Sequence, residues 1–168
     1  MGMQLIEHIE VGSGGASSIL FQNIDGTAQH LVCVVSARGG GSVGDGMVLL
    51  SLNSDFTNSN YATGKMMLGN GYFKFSNSDY PRPAAYMPDN SYYTGIFATT
   101  NFFIANYASS SYKETLTEGI SESNTAIAYQ SFHTSTWNNT SAVTSLLVGS
   151  SRSGFVEHST ASLYLITD

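Results

Sequence analysis

Short β-forming runs alternate with small polar residues along the whole chain, and this alternation restricts the fold more than any other feature. The runs are rich in Val, Ile, Phe, Tyr and Thr, and clusters of Gly, Ser and Asn separate them. No stretch longer than about six residues repeats its apolar residues with the period of a helix. The pattern predicts an all-β fold built from antiparallel strands, as in a sandwich or barrel. The 168 residues fit one domain.

Strand patterns recur from one end of the sequence to the other. The predicted strands are roughly 3–11, 17–23, 29–38, 47–54, 61–68, 71–76, 95–106, 112–120, 125–134, 142–149 and 160–167. Two of them, "HLVCVVSAR" and "GIFATTNFFIAN", are apolar on both alternating parities. A single sandwich core covers only one face of each strand, so the second apolar face predicts a covering loop, subunit or partner.

Residues 76–93, "SNSDYPRPAAYMPDNSYY", hold all 3 prolines of the chain and four of its 10 tyrosines. Proline lacks a backbone donor and fixes φ, so we expect an ordered excursion here and not a strand. The segment is longer than ordinary connections, which indicates either a lid over one end of the sandwich or a contact surface. Tyrosine rings bury much area at little entropic cost, and the candidate partner-contact residues are Tyr80, Tyr86, Tyr92 and Tyr93.

The stretch "FFIANYASSSYKETLTEGISESNT" at 102–125 is interpreted as two chain reversals. Serines between Tyr107 and Tyr112 can satisfy their own backbone groups in the first turn. "YKETLTEG" then returns antiparallel, and "GISESN" is expected to form the second turn. Gly119 and Asn124 could adopt the positive φ that such a turn requires.

Three glutamates on this stretch, Glu114, Glu118 and Glu122, invite comparison with sandwich-fold glycosidases. Those enzymes hold two carboxylates about 5–9.5 Å apart. Residues four apart on one strand are separated by roughly 13 Å, so Glu114 and Glu118 cannot form the pair by themselves. A partner on a neighbouring strand stays possible.

Other motifs do not predict chemistry. "GGGSVG" at 39–44 matches a dinucleotide fingerprint, but a strand follows it where the fingerprint needs a helix, so we expect a loop. The four histidines lack zinc-ligand spacing. Cys33 is the only cysteine, which excludes an intrachain disulfide, and its apolar setting disfavours a thiolate. We expect no cofactor, no metal and no enzymatic activity.

Charge and hydropathy exclude several partners. The formal net charge is −6 and the six basic residues are scattered, whereas nucleic-acid binding needs clustered cations. No signal peptide or membrane span is recognised, so we expect a soluble protein made in a reducing compartment. Charged residues make up only 11% of the chain. A surface of hydroxyls and amides with so few charges suits packing against other copies.

Several elements, taken in their order and spacing, carry a family resemblance. They are "HLVCVVSAR", "VLLSLNSD", "IANYASSSYK", "EGISESN", the lone Trp137 in "TWNNTSAVTSL", and "GFVEHSTASLYLI". In this pattern the chain resembles small virion proteins of tailed bacteriophages that form a jelly-roll sandwich on the particle surface. The resemblance covers about 4–68 and 95–167, and the tyrosine-rich segment lies outside it.

The resemblance implies a single jelly-roll β-sandwich over residues 1–168. It also implies a structural role: a decoration (cement) protein that binds the major capsid protein as a homotrimer on the capsid surface, after synthesis in a bacterial host cytoplasm. The alternative is a tail-fibre or receptor-binding module. Such a module would contact host glycans through aromatic faces, for which the candidates are Tyr80, Tyr86, Tyr92, Tyr93 and Trp137. A sandwich-fold hydrolase is the third class.

Overall fold

The computed structural model describes residues 2–42, 44–69, 72–77, 81–92, 94–122 and 128–167. Within these ranges the chain forms twelve β-strands, one short 3-10 turn at Asn58–Asn60, and no α-helix. The strands are β1 (Gly2–Glu10), β2 (Ser18–Phe21), β3 (His30–Ala37), β4 (Gly46–Leu52), β5 (Tyr61–Gly69), β6 (Tyr72–Asn77), β7 (Ala84–Met87), β8 (Ala98–Ile104), β9 (Lys113–Glu122), β10 (Ala128–Trp137), β11 (Leu146–Ser150) and β12 (Thr160–Thr167). The predicted all-β fold is confirmed.

The strands form two antiparallel sheets. The large sheet has the order β1-β12-β3-β8-β9-β10-β5-β6, and the small sheet has the order β2-β11-β4-β7. Strands far apart in sequence are neighbours in both sheets. In the large sheet Gly2 pairs with Thr167, and in the small sheet Leu146 of β11 lies opposite Phe21 of β2. The structure is a β-sandwich, as the sequence predicts.

Alternation of side chains along the strands builds the core between the sheets. On β3, Leu31, Cys33 and Val35 are fully buried, whereas the residues between them face outward and are half-buried. Leu50 and Leu52 of β4 approach this layer from the small sheet. Burying each such side chain contributes about 1.5–3 kcal/mol. Burial also raises the pKa of the Cys33 thiol to about 12, so its sulfur acts as a small hydrophobe.

The prediction that residues 76–93 contain no strand was wrong. β7 lies inside this segment, and β6 also extends into its first residues. Pro83 and Pro88 flank β7 and do not interrupt it, and β7 is an edge strand of the small sheet, where prolines are tolerated. The proline carbonyls still accept hydrogen bonds, from Leu50 N to Pro83 O and from Gly39 N to Pro88 O, both at 2.9 Å.

The predicted first reversal after "FFIAN" is confirmed. β8 ends at Ile104 and β9 begins at Lys113, and the intervening turn has Asn106 at φ 47°. Within the turn, Ser109 N donates to Asn106 O at 2.9 Å and Ser111 N donates to Ser109 Oγ at 3.3 Å. The serines therefore satisfy local backbone groups, as expected.

The prediction that Gly119 belongs to the second turn was wrong. Gly119 lies inside β9, which continues to Glu122, and it is not among the glycines with positive φ. An added Cβ on Gly119 would lie only 2.4 Å from the Cβ of Ala85 in β7. Glycine is therefore needed for the close approach of β7 to the large sheet. Asn124 lies outside the described residues.

Gly119→Ala should lower the free energy of unfolding by about 1–3 kcal/mol, because the new methyl group clashes with Ala85. Guanidinium denaturation measures the change. The double variant Gly119→Ala/Ala85→Gly should recover most of the loss. Gly12→Ala is the control, since a Cβ there meets no atom within 4 Å. Equal stability of the Gly119→Ala and Gly12→Ala proteins would contradict the packing described here.

Candidate functional site

One side of the large sheet faces away from the core and forms its outer face. Strand register aligns a row of five apolar side chains across five adjacent strands: Leu5, Tyr164, Val32, Phe103 and Leu116. Leu5 is 50% exposed and Leu116 is 43% exposed. This row is the second apolar face that the sequence predicts.

Three exposed apolar side chains cluster at the β1 edge of the large sheet. Met3, Leu5 and Ile6 are 56%, 50% and 40% exposed. β1 pairs with β12 on one side and is the terminal strand of its sheet. A long edge strand with exposed apolar side chains is a template for pairing with another chain. We call Met3, Leu5 and Ile6 the β1 patch.

A depression lies farther along the same outer face, over β8, β9 and β10. Register places Asn101, Glu118 and Phe132 side by side across these three strands. Thr99, Ile120 and Gln130 form the next row and complete the walls of a cavity of about 90 Å³. Of these residues, only Glu118 is a candidate from the sequence, where it is considered for catalysis. Ile120 shares with Glu118 the alternation of acidic and apolar residues in "KETLTEGISE", whereas the lining residues on β8 and β10 have no such sequence signal.

The three glutamates considered for catalysis all lie on the outward parity of β9. The cross-strand partners of Glu118 are Asn101 and Phe132, and Glu114 lies opposite Thr136, whose hydroxyl donates to it at 2.9 Å. No second carboxylate faces any of the three across the described strand pairs. The arrangement therefore does not form the carboxylate pair of a glycosidase.

Of the candidate contact tyrosines, Tyr80 and Tyr93 lie outside the described residues. Tyr86, on β7, is half-buried and stacks on Tyr129 with ring centroids 4.6 Å apart. Lys65 Nζ donates to the Tyr86 hydroxyl at 3.2 Å and lies 4.4 Å from the ring centroid. These contacts are internal and leave only part of the Tyr86 ring for a partner.

Tyr92 is also held by internal bonds. Its hydroxyl donates to Asp45 Oδ2 at 3.2 Å, and its carbonyl accepts from Arg38 Nη2 at 3.0 Å. Asp89, fully buried nearby, accepts from Ser91 N at 2.8 Å and from Gly44 N at 3.0 Å. These bonds fasten residues 88–92 to the glycine-rich loop before β4. The geometry favours the lid alternative for this part of the segment, and partner contact by the tyrosines stays a prediction.

Trp137 does not present an aromatic face. It is 2% exposed, and its indole Nε1 donates to Asp55 Oδ2 at 2.8 Å. Burial disfavours the ionised Asp55, but hydrogen bonds from Trp137, Asn60 and Thr57 outweigh it and lower the pKa of Asp55 to about 2. Trp137 is therefore a packing residue at the end of the sandwich, so it is not available to stack on a sugar.

The inward side of β9 and β10 is polar, in contrast to the apolar core. His133 is fully buried between Thr117 and Lys65, its cross-strand neighbours. Several buried polar atoms on these strands, and one on the adjoining β8, have no hydrogen-bond partner within the described chain: both ring nitrogens of His133, the hydroxyls of Thr115, Thr117 and Ser121, and the hydroxyl of Thr100 on β8. Burial, with a contribution from the Lys65 charge, lowers the pKa of His133 to about 4. We call this region the polar seam.

Comparisons with known proteins do not assign a family. No protein-family model matches the chain, and no curated protein matches it in sequence.

The part of the chain that the structure describes contains no helix long and apolar enough to cross a membrane. It also contains no group of three or more His, Cys, Asp or Glu side chains placed to hold a metal ion.

Acidification should destabilise the fold through His133. Because its pKa is about 4 in the folded chain and about 6.5 in the unfolded chain, its contribution to stability is complete above pH 6.5 and is lost as the pH falls towards 4. The expected loss between pH 8 and pH 5 is roughly 2 kcal/mol, measured by urea denaturation at each pH.

His133→Gln should flatten this part of the pH profile, whereas His8→Gln, at the exposed β1 edge, should leave it unchanged. His158 and Asp45 have raised pKa values, so both favour the folded state on acidification and act in the opposite direction. They are present in all three proteins and do not affect the comparison. An unchanged slope in His133→Gln would show that the buried imidazole is not the source.

Proposed function

We propose that the chain is a structural virion protein that decorates and stabilises a bacteriophage capsid by binding its major capsid protein. The family resemblance in the sequence is the origin of this proposal, and two structural features support it: the strand order of the sandwich and the exposed apolar surface of the large sheet. The protein is made in the cytoplasm of the bacterial host and acts on the capsid surface.

Strand order supports a jelly roll. Leaving aside β5, β6, β9 and β10, the large sheet reduces to β1-β12-β3-β8, facing β2-β11-β4-β7. Two four-stranded antiparallel sheets with first and last strands paired are what a jelly roll of eight strands requires. The β5–β6 and β9–β10 hairpins then extend the large sheet beyond β8. This extension enlarges the outer face of the large sheet, which carries the β1 patch at one edge and the depression over β8, β9 and β10.

The β1 patch is the observation that carries the proposal of self-assembly. It combines exposed apolar side chains with the terminal strand of a sheet, and the chain has few charges to repel another copy. A stable interface needs about 800 Å² from each partner. Burying the β1 patch and the adjoining half-buried row against a neighbouring subunit supplies apolar area for such a contact. We propose a homotrimer with cyclic symmetry, in which each subunit contacts the next through this region.

The tail-fibre or receptor-binding alternative is the second candidate. Trp137 is buried, and Tyr86 and Tyr92 are engaged in internal contacts, so these aromatics give it little support. The depression beside Phe132 is the observation that favours it. The copy number in the virion discriminates between the two roles: hundreds of copies indicate decoration, and a handful indicate a tail appendage.

Leu5→Glu should weaken self-association, because it places a charge in the proposed subunit contact. The dissociation constant measured by analytical ultracentrifugation should rise at least about tenfold. Leu20→Glu is the matched control, since Leu20 is 39% exposed on the small sheet, away from the β1 patch. A wild-type protein that sediments as a monomer, or equal effects of the two variants, would overturn the proposed contact.

Binding to the shell tests the function itself. The purified protein should co-sediment with emptied capsids of the phage whose genome encodes it, and should raise the temperature at which those capsids rupture. Leu20→Glu should retain binding if the small sheet faces away from the shell. Failure of the wild-type protein to bind these capsids would contradict the proposed decoration of the capsid.

A further inference from the structure

The depression on the outer face has the chemical make-up of a site for a polyhydroxylated ligand. Its walls combine a carboxylate (Glu118), two carboxamides (Asn101 and Gln130) and a hydroxyl (Thr99). Phe132, half-buried, and Ile120, 60% exposed, add apolar surface. Binding sites for small molecules typically combine apolar lining with a few polar groups that fix orientation.

The polar groups around the depression are not engaged with the protein. Within the described part of the chain, the side chains of Asn101, Glu118 and Gln130 form no hydrogen bond, whereas Glu114 on the same face accepts one from Thr136. A carboxylate supplies only acceptors, and a carboxamide supplies both donors and an acceptor. Together they can accept from one ligand hydroxyl and donate to its neighbour.

Register sets the spacing of these groups. Asn101, Glu118 and Phe132 are directly opposite one another on adjacent strands, where Cβ atoms are about 4.5–5.5 Å apart. The carboxylate therefore lies between an amide on one side and an aromatic ring on the other. Vicinal hydroxyls of a pyranose present the matching pattern: polar groups along one edge and an apolar C–H face beside them.

We infer that this depression is a saccharide subsite, which binds the edge of a neutral pyranose through two adjacent hydroxyls. Glu118 accepts from the hydroxyls, Asn101 and Gln130 donate to them, and Phe132 packs against the C–H face of the ring. The negative charge of Glu118 disfavours phosphate, sulfate and acidic sugars. The exposed apolar residues distinguish the site from one for a hydrated metal ion.

The size of the depression sets the strength of binding. A volume of about 90 Å³ is well below the roughly 300–1,000 Å³ of pockets that enclose a whole small ligand, so the depression admits the edge of a ring and not the whole sugar. One such contact gives a dissociation constant on the order of millimolar. The inference does not depend on the virion assignment, although repeated copies on a particle would multiply this weak affinity. The β1 patch is four strands away from β9, about 19 Å, so a subunit contact confined to that patch leaves the depression open, whereas one that also covers Phe103 and Leu116 borders it.

The test is an NMR titration of the ¹⁵N-labelled protein with methyl glycosides of glucose, galactose, mannose and N-acetylglucosamine. At least one glycoside should cause saturable shifts in the backbone amides of Asn101, Glu118 and Phe132. Glu118→Gln should weaken that binding about tenfold or more, because it removes a charged acceptor. Asn101→Ala should weaken it as well, and neither exposed change should alter the melting temperature.

Glu114→Gln is the matched control, since Glu114 lies on the same strand and face but outside the depression, and it should bind like the wild type. The inference is overturned if no glycoside gives saturable shifts, if the shifts map elsewhere, or if Glu114→Gln loses binding as Glu118→Gln does. It is also overturned if Glu118→Gln dissociates an oligomer in sedimentation, because the depression would then be a subunit contact.

Discussion

Leu31, Cys33 and Val35 of β3 lie fully buried against the small sheet. Their burial determines which side chains of the large sheet face outward. Side chains alternate strictly between the two faces of a strand, so a register that places these residues inward places their neighbours outward. Because β3 pairs with β8, and β8 with β9, the register of β3 also fixes which residues of β8 and β9 face inward and which face outward. The outer apolar row and the depression are thus consequences of core packing.

The interior has two halves of different character. Beneath β12, β3 and β8 it is apolar, whereas beneath β9 and β10 it contains buried hydroxyls and the imidazole of His133. β7, four residues long and bordered by prolines, packs over the polar seam with Ala84, Ala85 and Met87 buried. Buried polar groups without partners cost free energy. The lowest local stability is therefore expected at β7 and the polar seam.

Sequence patterns predict the strands and turns that are specified by residues close together in the chain. Buried alternation in β3 and β12 and the serine-rich turn after β8 follow from residues near one another in the chain. β7 was missed because its prolines suggested a break, and only the paired β4 strand shows that they lie outside the ladder. Gly119 was misassigned because the need for glycine arises from Ala85, on a strand from the other sheet.

The candidate site was even less predictable. Asn101, Glu118 and Phe132 belong to three strands, and their alignment depends on two registers that no local pattern specifies. Likewise, Trp137 could be judged exposed or buried from sequence alone. Its partner Asp55, which comes before β5, decides the matter. What the sequence did contain was the alternation along β9, which predicts a strand with acidic and apolar residues on one side.

The pairing of β1 with β12 and of β2 with β11 has a consequence for biosynthesis. While the ribosome is still translating the middle of the message, the first two strands have no neighbours to complete their ladders. The inward apolar side chains of β2 stay uncovered, and the backbone of β1 stays without its partner β12, until residues 146–167 have emerged from the exit tunnel. Folding of such a nonlocal topology is slow, and its final closure must follow synthesis of that region. Nascent chains are therefore most prone to aggregation during this interval, and we expect chaperones to bind them mainly at this stage.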